Sequence, residues 1–296
     1  GKMKFNNMFF RFYLVLLTFA KATTFPSGYH KPLEKFWQVF DTNGDGRFSL
    51  AELNYFSESG NAVPGNHLQD IASAWDRNRD GIITFQDMQH QVPMNTVVEQ
   101  VHLSLTSDPS EMIVMFASLT EMPAKDCHVL YRQSGESDWA SVFATPKTYT
   151  VPGRWWEPEG WQGFLYTATM TDLTPGMKYE YQISSPTLGD RSGLGFTAAP
   201  SLELGSSGGS STAAAPLRLA VWGDMGTYMP LGFKVMEKVI SDHKVAPYDF
   251  SFHFGDISYA GVDSSVPFLN VTKDDEWQFI WDLFGRQVEP LSAAIP

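Results

Sequence analysis

Three side chains near the C-terminal end have the types and spacing to do chemistry together: Asp224, Asp256 and Tyr259. Each aspartate closes an apolar run, LRLAVWGD and DFSFHFGD, as the second residue of a Gly-Asp pair. Short apolar runs bounded by turn residues read as buried strands, and the helical stretch between them completes a βαβ unit. Strands in such a unit are parallel, so both runs end at the same edge of the sheet. Open α/β sheets place their ligands at that edge. Two carboxylates converging there repel each other, and burying unpaired ions is costly, so a cation is the natural partner. The rival reading is that each aspartate caps the turn that follows it.

Two acidic loops nearer the N-terminus carry a second kind of metal chemistry. Residues 41–52 read DTNGDGRFSLAE, with Asp41, Asn43, Asp45, Gly46 and Glu52 at the spacing of a calcium loop. Ca²⁺ takes about 6–8 oxygens, and alternate residues of a tight turn point inward to supply them. Gly46 permits the turn, Arg47 offers its carbonyl, Ser49 acts through water, and Glu52 can bind through both oxygens. Thirty-five residues on, Asp76, Asn78, Asp80 and Gly81 repeat the pattern, Ile82 takes the carbonyl position, and Asp87 closes the loop. The apolar spacing of KPLEKFWQVF, LAELNYF and HLQDIASAW predicts flanking helices, with Pro93 limiting the last. The whole resembles a paired EF-hand domain, and Phe48 and Ile83, at matching loop positions, are expected to pair across a short β-bridge. Asp87 is one methylene shorter than the usual glutamate, so the second loop is expected to bind Ca²⁺ more weakly. A structural cation site is favoured over a signalling role.

Between these regions, residues 99–196 alternate with period two. EQVHLSLT, MIVMFASL, HVLYRQ, FLYTATMTDL and KYEYQISS read as strands of an antiparallel sandwich. Leu173–Tyr179, LTPGMKY, looks like a tyrosine corner, which makes the sandwich fibronectin type III-like. The single cysteine, Cys127, opens one of these strands and reads as a small buried hydrophobe. Trp155, Trp156 and Trp161 read as packing for a long loop. Residues 201–216, SLELGSSGGSSTAAAP, form a flexible linker.

The bulk properties narrow the field. With 296 residues, two or three domains are expected, and 43% hydrophobic content supports real cores. A net charge of −12 argues against a nucleic-acid partner. Lys2 and Lys4, the apolar run from Tyr13 to Ala20, and Ala20-Lys21-Ala22 form a secretory signal pattern. The run is shorter than the roughly 20 residues that span a bilayer, so no stable membrane anchor is expected. Asn270-Val271-Thr272 would be a glycosylation acceptor in the secretory pathway.

The blocks Gly223-Asp224-Met225-Gly226 and Gly255-Asp256-Ile257-Ser258-Tyr259 resemble the first two sequence blocks of metallophosphoesterases. The tyrosine three residues after the second aspartate resembles the purple acid phosphatases, whose plant-type members also carry a fibronectin-like domain in front. The resemblance implies a dinuclear centre with Asp224 and Tyr259 on a ferric ion and Asp256 bridging to a second divalent metal (Zn, Mn or Fe). Metals about 3.5–4 Å apart clamp an in-line phosphoryl displacement, so phosphate monoesters are the implied substrates.

The family's later ligands, an Asn-His block and further histidines, do not follow Tyr259. Gly65-Asn66-His67 precedes both aspartates and is not that block. His253 is set aside as a ligand because residues three apart on a strand face opposite sides. The expectation is therefore a fragment of a larger enzyme, inactive alone. Alternatives are a non-catalytic calcium-binding or adhesion protein, and a phosphodiesterase of the same fold. The expected organisation is multidomain: a signal peptide over 1–22, an α-helical EF-hand pair over 30–93 and a fibronectin type III-like β-sandwich over 96–200. The linker at 201–216 and the start of an α/β metallophosphoesterase domain at 217–296 complete it. A secreted or secretory-pathway (including vacuolar) location follows from the signal.

Overall fold

The computed structural model describes residues 41–52, 75–76, 78–84, 87, 98–118, 121–148, 163–186, 189–200, 217–226, 232–259 and 278–296. The signal-like residues 1–22, Pro93, the Gly65-Asn66-His67 connector, the three loop tryptophans, the 201–216 linker and Asn270 lie outside them.

The two acidic loops are joined by strands β1 (Arg47–Phe48) and β2 (Ile83–Thr84). These pair antiparallel with Phe48 opposite Ile83, the expected bridge. Both side chains are buried, and Phe48 lies 6.4 Å from the ring of fully buried Trp75. The buried Phe48–Ile83 pair, with Trp75 beside it, thus joins the two loops.

Eight strands follow: β3 (Glu99–Leu105), β4 (Met112–Ser118), β5 (His128–Gln133), β6 (Ala140–Phe143), β7 (Thr145–Lys147), β8 (Phe164–Met170), β9 (Lys178–Ser185) and β10 (Gly189–Thr197). They make two antiparallel four-stranded sheets, ordered β3-β4-β8-β7 and β10-β9-β5-β6. Alternation along β3, β4, β8 and β9 sends Val101, Leu103, Met112, Val114, Tyr166, Ala168, Tyr181 and Ile183 into one shared core. The period-two reading is borne out because each sheet buries one face. Strands β6, β7 and β10 escaped it.

Tyr179 behaves as the corner motif predicts: its hydroxyl accepts the Thr174 amide at 2.8 Å. Tyr166, stacked on Phe116 at 5.2 Å, accepts the Met122 amide at 2.7 Å, so neither buried polar end goes unpaired. Cys127 is fully buried, and burial pushes its thiol up to about 12. Because the thiolate is the nucleophile, Cys127 is expected to resist iodoacetamide at pH 8 in the folded chain and to react fully in denaturant. Alkylation at equal rates in both states would contradict its place in the core.

Beyond the sandwich, β11 (Leu219–Gly223), α1 (Gly232–Val245) and β12 (Phe250–Phe254) form the expected βαβ unit. β11 and β12 are parallel, with Gly223 opposite Phe254, so the two Gly-Asp pairs do finish at one edge. Helix α2 (Gln278–Ser292) follows at the end of the chain. It lies along β3, touches α1, and its C-terminal tail reaches β12, where Pro296 O accepts the Ser251 amide at 2.8 Å. Among the described residues no helix is long and apolar enough to cross a membrane.

Candidate metal centre and calcium loops

Asp224 and Tyr259 both follow strand ends with positive φ, +48° and +54°. Side-chain-bearing residues adopt this region rarely, and such outliers cluster where function over-determines the backbone. Two backbone bonds zip the loops together: Asp224 N donates to Phe254 O at 3.1 Å and Gly226 N to Ile257 O at 2.9 Å. Gly255 is required between them. Its φ is +70°, and a Cβ there would stand 2.7 Å from Asp224 Oδ1. Only a residue without a side chain lets the Asp224 carboxylate lie over the second loop.

That carboxylate is the focus of the site. Asp224 Oδ1 accepts the Asp256 amide at 3.0 Å and the Tyr259 hydroxyl at 3.4 Å. Asp224 and Asp256 themselves are exposed at the sheet edge. Desolvation, then the negative charges of Asp224 and Asp256 and hydrogen bonds to both, push the Tyr259 phenol above its ordinary value. An anionic donor set that suppresses ionisation of its own phenol suits a multivalent cation, which would reverse that direction. The edge is oxygen-rich, with the Tyr259 hydroxyl and the Asp256 backbone converging on the Asp224 carboxylate, a donor chemistry that suits a multivalent cation. Asp224, Asp256 and Tyr259 stand at the same sheet edge, with the Asp256 amide and the Tyr259 hydroxyl both on Asp224 Oδ1.

His253 corrects one geometric step. The alternation rule puts it opposite Asp256, but the chain turns at Gly255 and the rule no longer applies past the strand end. The imidazole lies beside the first loop, with His253 Nε2 accepting the Met225 amide at 3.4 Å and the ring 5.7 Å from Phe284 of α2. Burial lowers its pKa, against opposing contributions from the Asp256 backbone and the Asp224 charge. It supports the loop backbone.

In the calcium loops the two closing carboxylates make matching bonds. Glu52 Oε1 accepts the Asn43 amide at 3.1 Å, and Oε2 accepts Ser49 N and Oγ at 2.9 and 2.8 Å. Asp87 Oδ1 accepts the Asn78 amide at 3.3 Å, and Oδ2 accepts Thr84 N and Oγ1, both at 2.7 Å. The first aspartates match as well. Asp41 accepts the amides of Gly44, Asp45 and Gly46, and Asp76 those of Asp80 and Gly81. Gly46 and Gly81 turn at φ +80° and +84°, as the pattern requires. Asn43 and Asn78 each accept the amide of Asp45 or Asp80, which in turn accepts that of Arg47 or Ile82.

Asp76 is pushed above the usual carboxylate range by burial, with the nearby Asp87 charge adding to it. Among the described residues, no group of three or more His, Cys, Asp or Glu is gathered in a metal-holding cluster. The loop carboxylates face backbone amides instead.

Asp87 therefore reaches the equivalent partners with an arm one methylene shorter than that of Glu52. Asp87→Glu is expected to strengthen the weaker Ca²⁺ site by on the order of tenfold. Titration calorimetry reads this directly, and an unchanged weaker site would contradict the account of Asp87.

Comparison with known proteins bears on the calcium loops and on the sandwich. Residues 31–92 match the EF-hand domain pair, and residues 98–198 match the purple acid phosphatase N-terminal domain. The chain thus joins an EF-hand pair to a purple acid phosphatase N-terminal domain and is purple acid phosphatase-like in the region its relatives share. Two relatives from Arabidopsis thaliana carry the names "Probable inactive purple acid phosphatase 9" and "Probable inactive purple acid phosphatase 27". The first is 25% identical over 67% of this chain, the second 28% over 46%. The chain spans 29% and 21% of their respective lengths. Among solved structures, the purple acid phosphatase PPD1 from yellow lupin (Lupinus luteus) seeds superposes with a TM-score of 0.51 at 19% identity. The match covers 69% of this chain and 35% of the lupin chain. That likeness concerns the fold alone.

Proposed function

We propose that Asp224, Asp256 and Tyr259 form part of a purple acid phosphatase-type dinuclear centre acting on phosphate monoesters, and that the EF-hand pair binds Ca²⁺. The observation that carries the reading is the convergence of the Tyr259 hydroxyl and the Asp256 amide on Asp224 Oδ1. Asp224 and Tyr259 would hold a ferric ion, and Asp256 would be shared with a second divalent metal. Such metals polarise phosphoryl oxygens and supply a nucleophile at neutral pH. This chain's own residues orient the site: the zipped loops fix Asp224, Gly255 leaves it room, and His253 holds the Met225 amide.

The order of the two sheets supports a fibronectin type III-like sandwich, and the parallel β11–β12 pair supports the start of a metallophosphoesterase unit behind it. Secretion is proposed from the sequence of residues 1–22.

A second reading, a non-catalytic calcium-binding protein, is favoured by the word "inactive" in both relatives' names. Hydrolysis of an aryl phosphate by a metal-loaded chain that also carries the Asn-His and histidine blocks separates the two. Turnover that is lost in Asp256→Asn supports the phosphatase reading. Metal binding without turnover supports the second.

A further inference from the structure

Helix α2 grips two loops that lie far apart in sequence. Arg286 and Gln287, consecutive and both buried, point to different neighbours because successive helical residues diverge by about 100°. Arg286 Nη1 donates to Asp87 O at 2.8 Å, and its Nε donates to Glu99 Oε2 at 3.0 Å. Gln287 Nε2 donates to Gly226 O at 3.3 Å. Asp87 is the closing residue of the second calcium loop, and Gly226 lies two residues after Asp224.

The rest of the helix is anchored around these two contacts. Glu289 accepts the Gln100 amide at 2.7 Å and pairs with Arg191 at 2.8 Å, while Asp282 accepts Gln100 Nε2 at 2.8 Å. Tyr181 OH donates to Ala293 O at 2.6 Å. The second calcium loop is tied to the sandwich independently by Arg79, which donates to Val98 O at 3.1 Å. These contacts seat α2 on the sandwich, and Arg286 and Gln287 make it the shared neighbour of Asp87 and Gly226.

We propose that α2 is a coupling strut through which Ca²⁺ in the second loop sets the position of the Asp224–Gly226 turn, with Arg286 and Gln287 as its positioning residues. Asp87 faces both ways: its carboxylate belongs to the loop interior, and its carbonyl belongs to Arg286. Ca²⁺ drawing on that carboxylate therefore pulls on the helix, in the manner by which calcium loops bias a packed element. The proposal rests on the calcium reading of the loops given above and adds a regulatory role to it. Coupling is reciprocal, so metal at the Asp224 site would tighten the second Ca²⁺ site by the same factor.

Hydrogen exchange of the whole chain, with and without Ca²⁺ alone, tests this. In the native chain Ca²⁺ is expected to slow exchange across residues 76–87, and also across 223–226 by about fivefold or more, the low end of ordinary couplings. Glu99→Leu with Arg286→Met replaces the buried pair by apolar groups and is expected to keep the response at 76–87 while losing it at 223–226. Gln287→Leu is expected to lose the response at 223–226 alone. Slowing at 76–87 with none at 223–226 in the native chain would overturn the strut and leave the calcium reading standing. Persistence of the 223–226 response in the double variant would overturn the route through Arg286. No response at 41–52 or 76–87 would overturn the calcium reading and the strut with it.

Discussion

Arg286→Ala is expected to lower the stability of the folded chain by about 3–5 kcal/mol, the cost of leaving one member of a buried ion pair behind. The Arg286 and Glu99 side chains are only 2% and 3% exposed, so water cannot take over for the missing guanidinium. The substitution also removes the donor to Asp87 O. Glu99→Leu with Arg286→Met should behave differently, because replacing both charges by apolar groups of similar volume is often neutral or stabilising. Denaturant unfolding followed by tryptophan fluorescence reads both. A change under about 0.5 kcal/mol for Arg286→Ala, the usual size for an exposed substitution, would show that the pair is not buried as described.

Gly255→Ala is expected to have the largest effect on the candidate metal centre. Its φ of +70° costs an alanine about 1–2 kcal/mol. The new Cβ, 2.7 Å from Asp224 Oδ1, must also push that carboxylate off the Asp256 amide and away from Tyr259. Losses of outer support typically reduce metal affinity by about 10–100-fold, and here the proposed ligand itself is displaced. Ferric-ion titration of the variant should fall by at least that range while the sandwich keeps its melting transition. Unchanged affinity would mean that Asp224 is not the ligand the geometry indicates.

The parts of this molecule that could be read from the sequence are those whose reasons are local. The calcium loops repeat a pattern whose oxygens sit on alternate residues, and Phe48 and Ile83 pair because they occupy matching positions in it. Tyr179 closes its corner on Thr174, five residues back. The two Gly-Asp pairs meet because a βαβ unit must be parallel.

What escaped was non-local or unpatterned. β10 reads GDRSGLGFT, and its register shifts between Arg191 and Leu194, so no clean alternation marks it. β6 and β7 are edge strands whose residues are mostly exposed, and β7 contains Pro146, which only an edge position tolerates. In α2, Asp282, Arg286, Gln287 and Glu289 have the composition of a solvated helix face. They are buried because their partners Glu99, Gln100, Arg191 and Gly226 lie 60 or more residues away, a placement no window of sequence contains. His253 was visible, but the strand rule failed at the turn beyond it.

In the proposed centre, Asp224, Asp256 and Tyr259 hold a metal with the phenol as a ligand. Visible absorption spectroscopy of the Fe³⁺-loaded chain tests it most directly, because a tyrosinate bound to ferric iron gives a charge-transfer band. The band should appear on loading, vanish in Tyr259→Phe with iron still bound, and vanish with the iron in Asp224→Ala. A band of undiminished intensity in Tyr259→Phe would contradict the assignment.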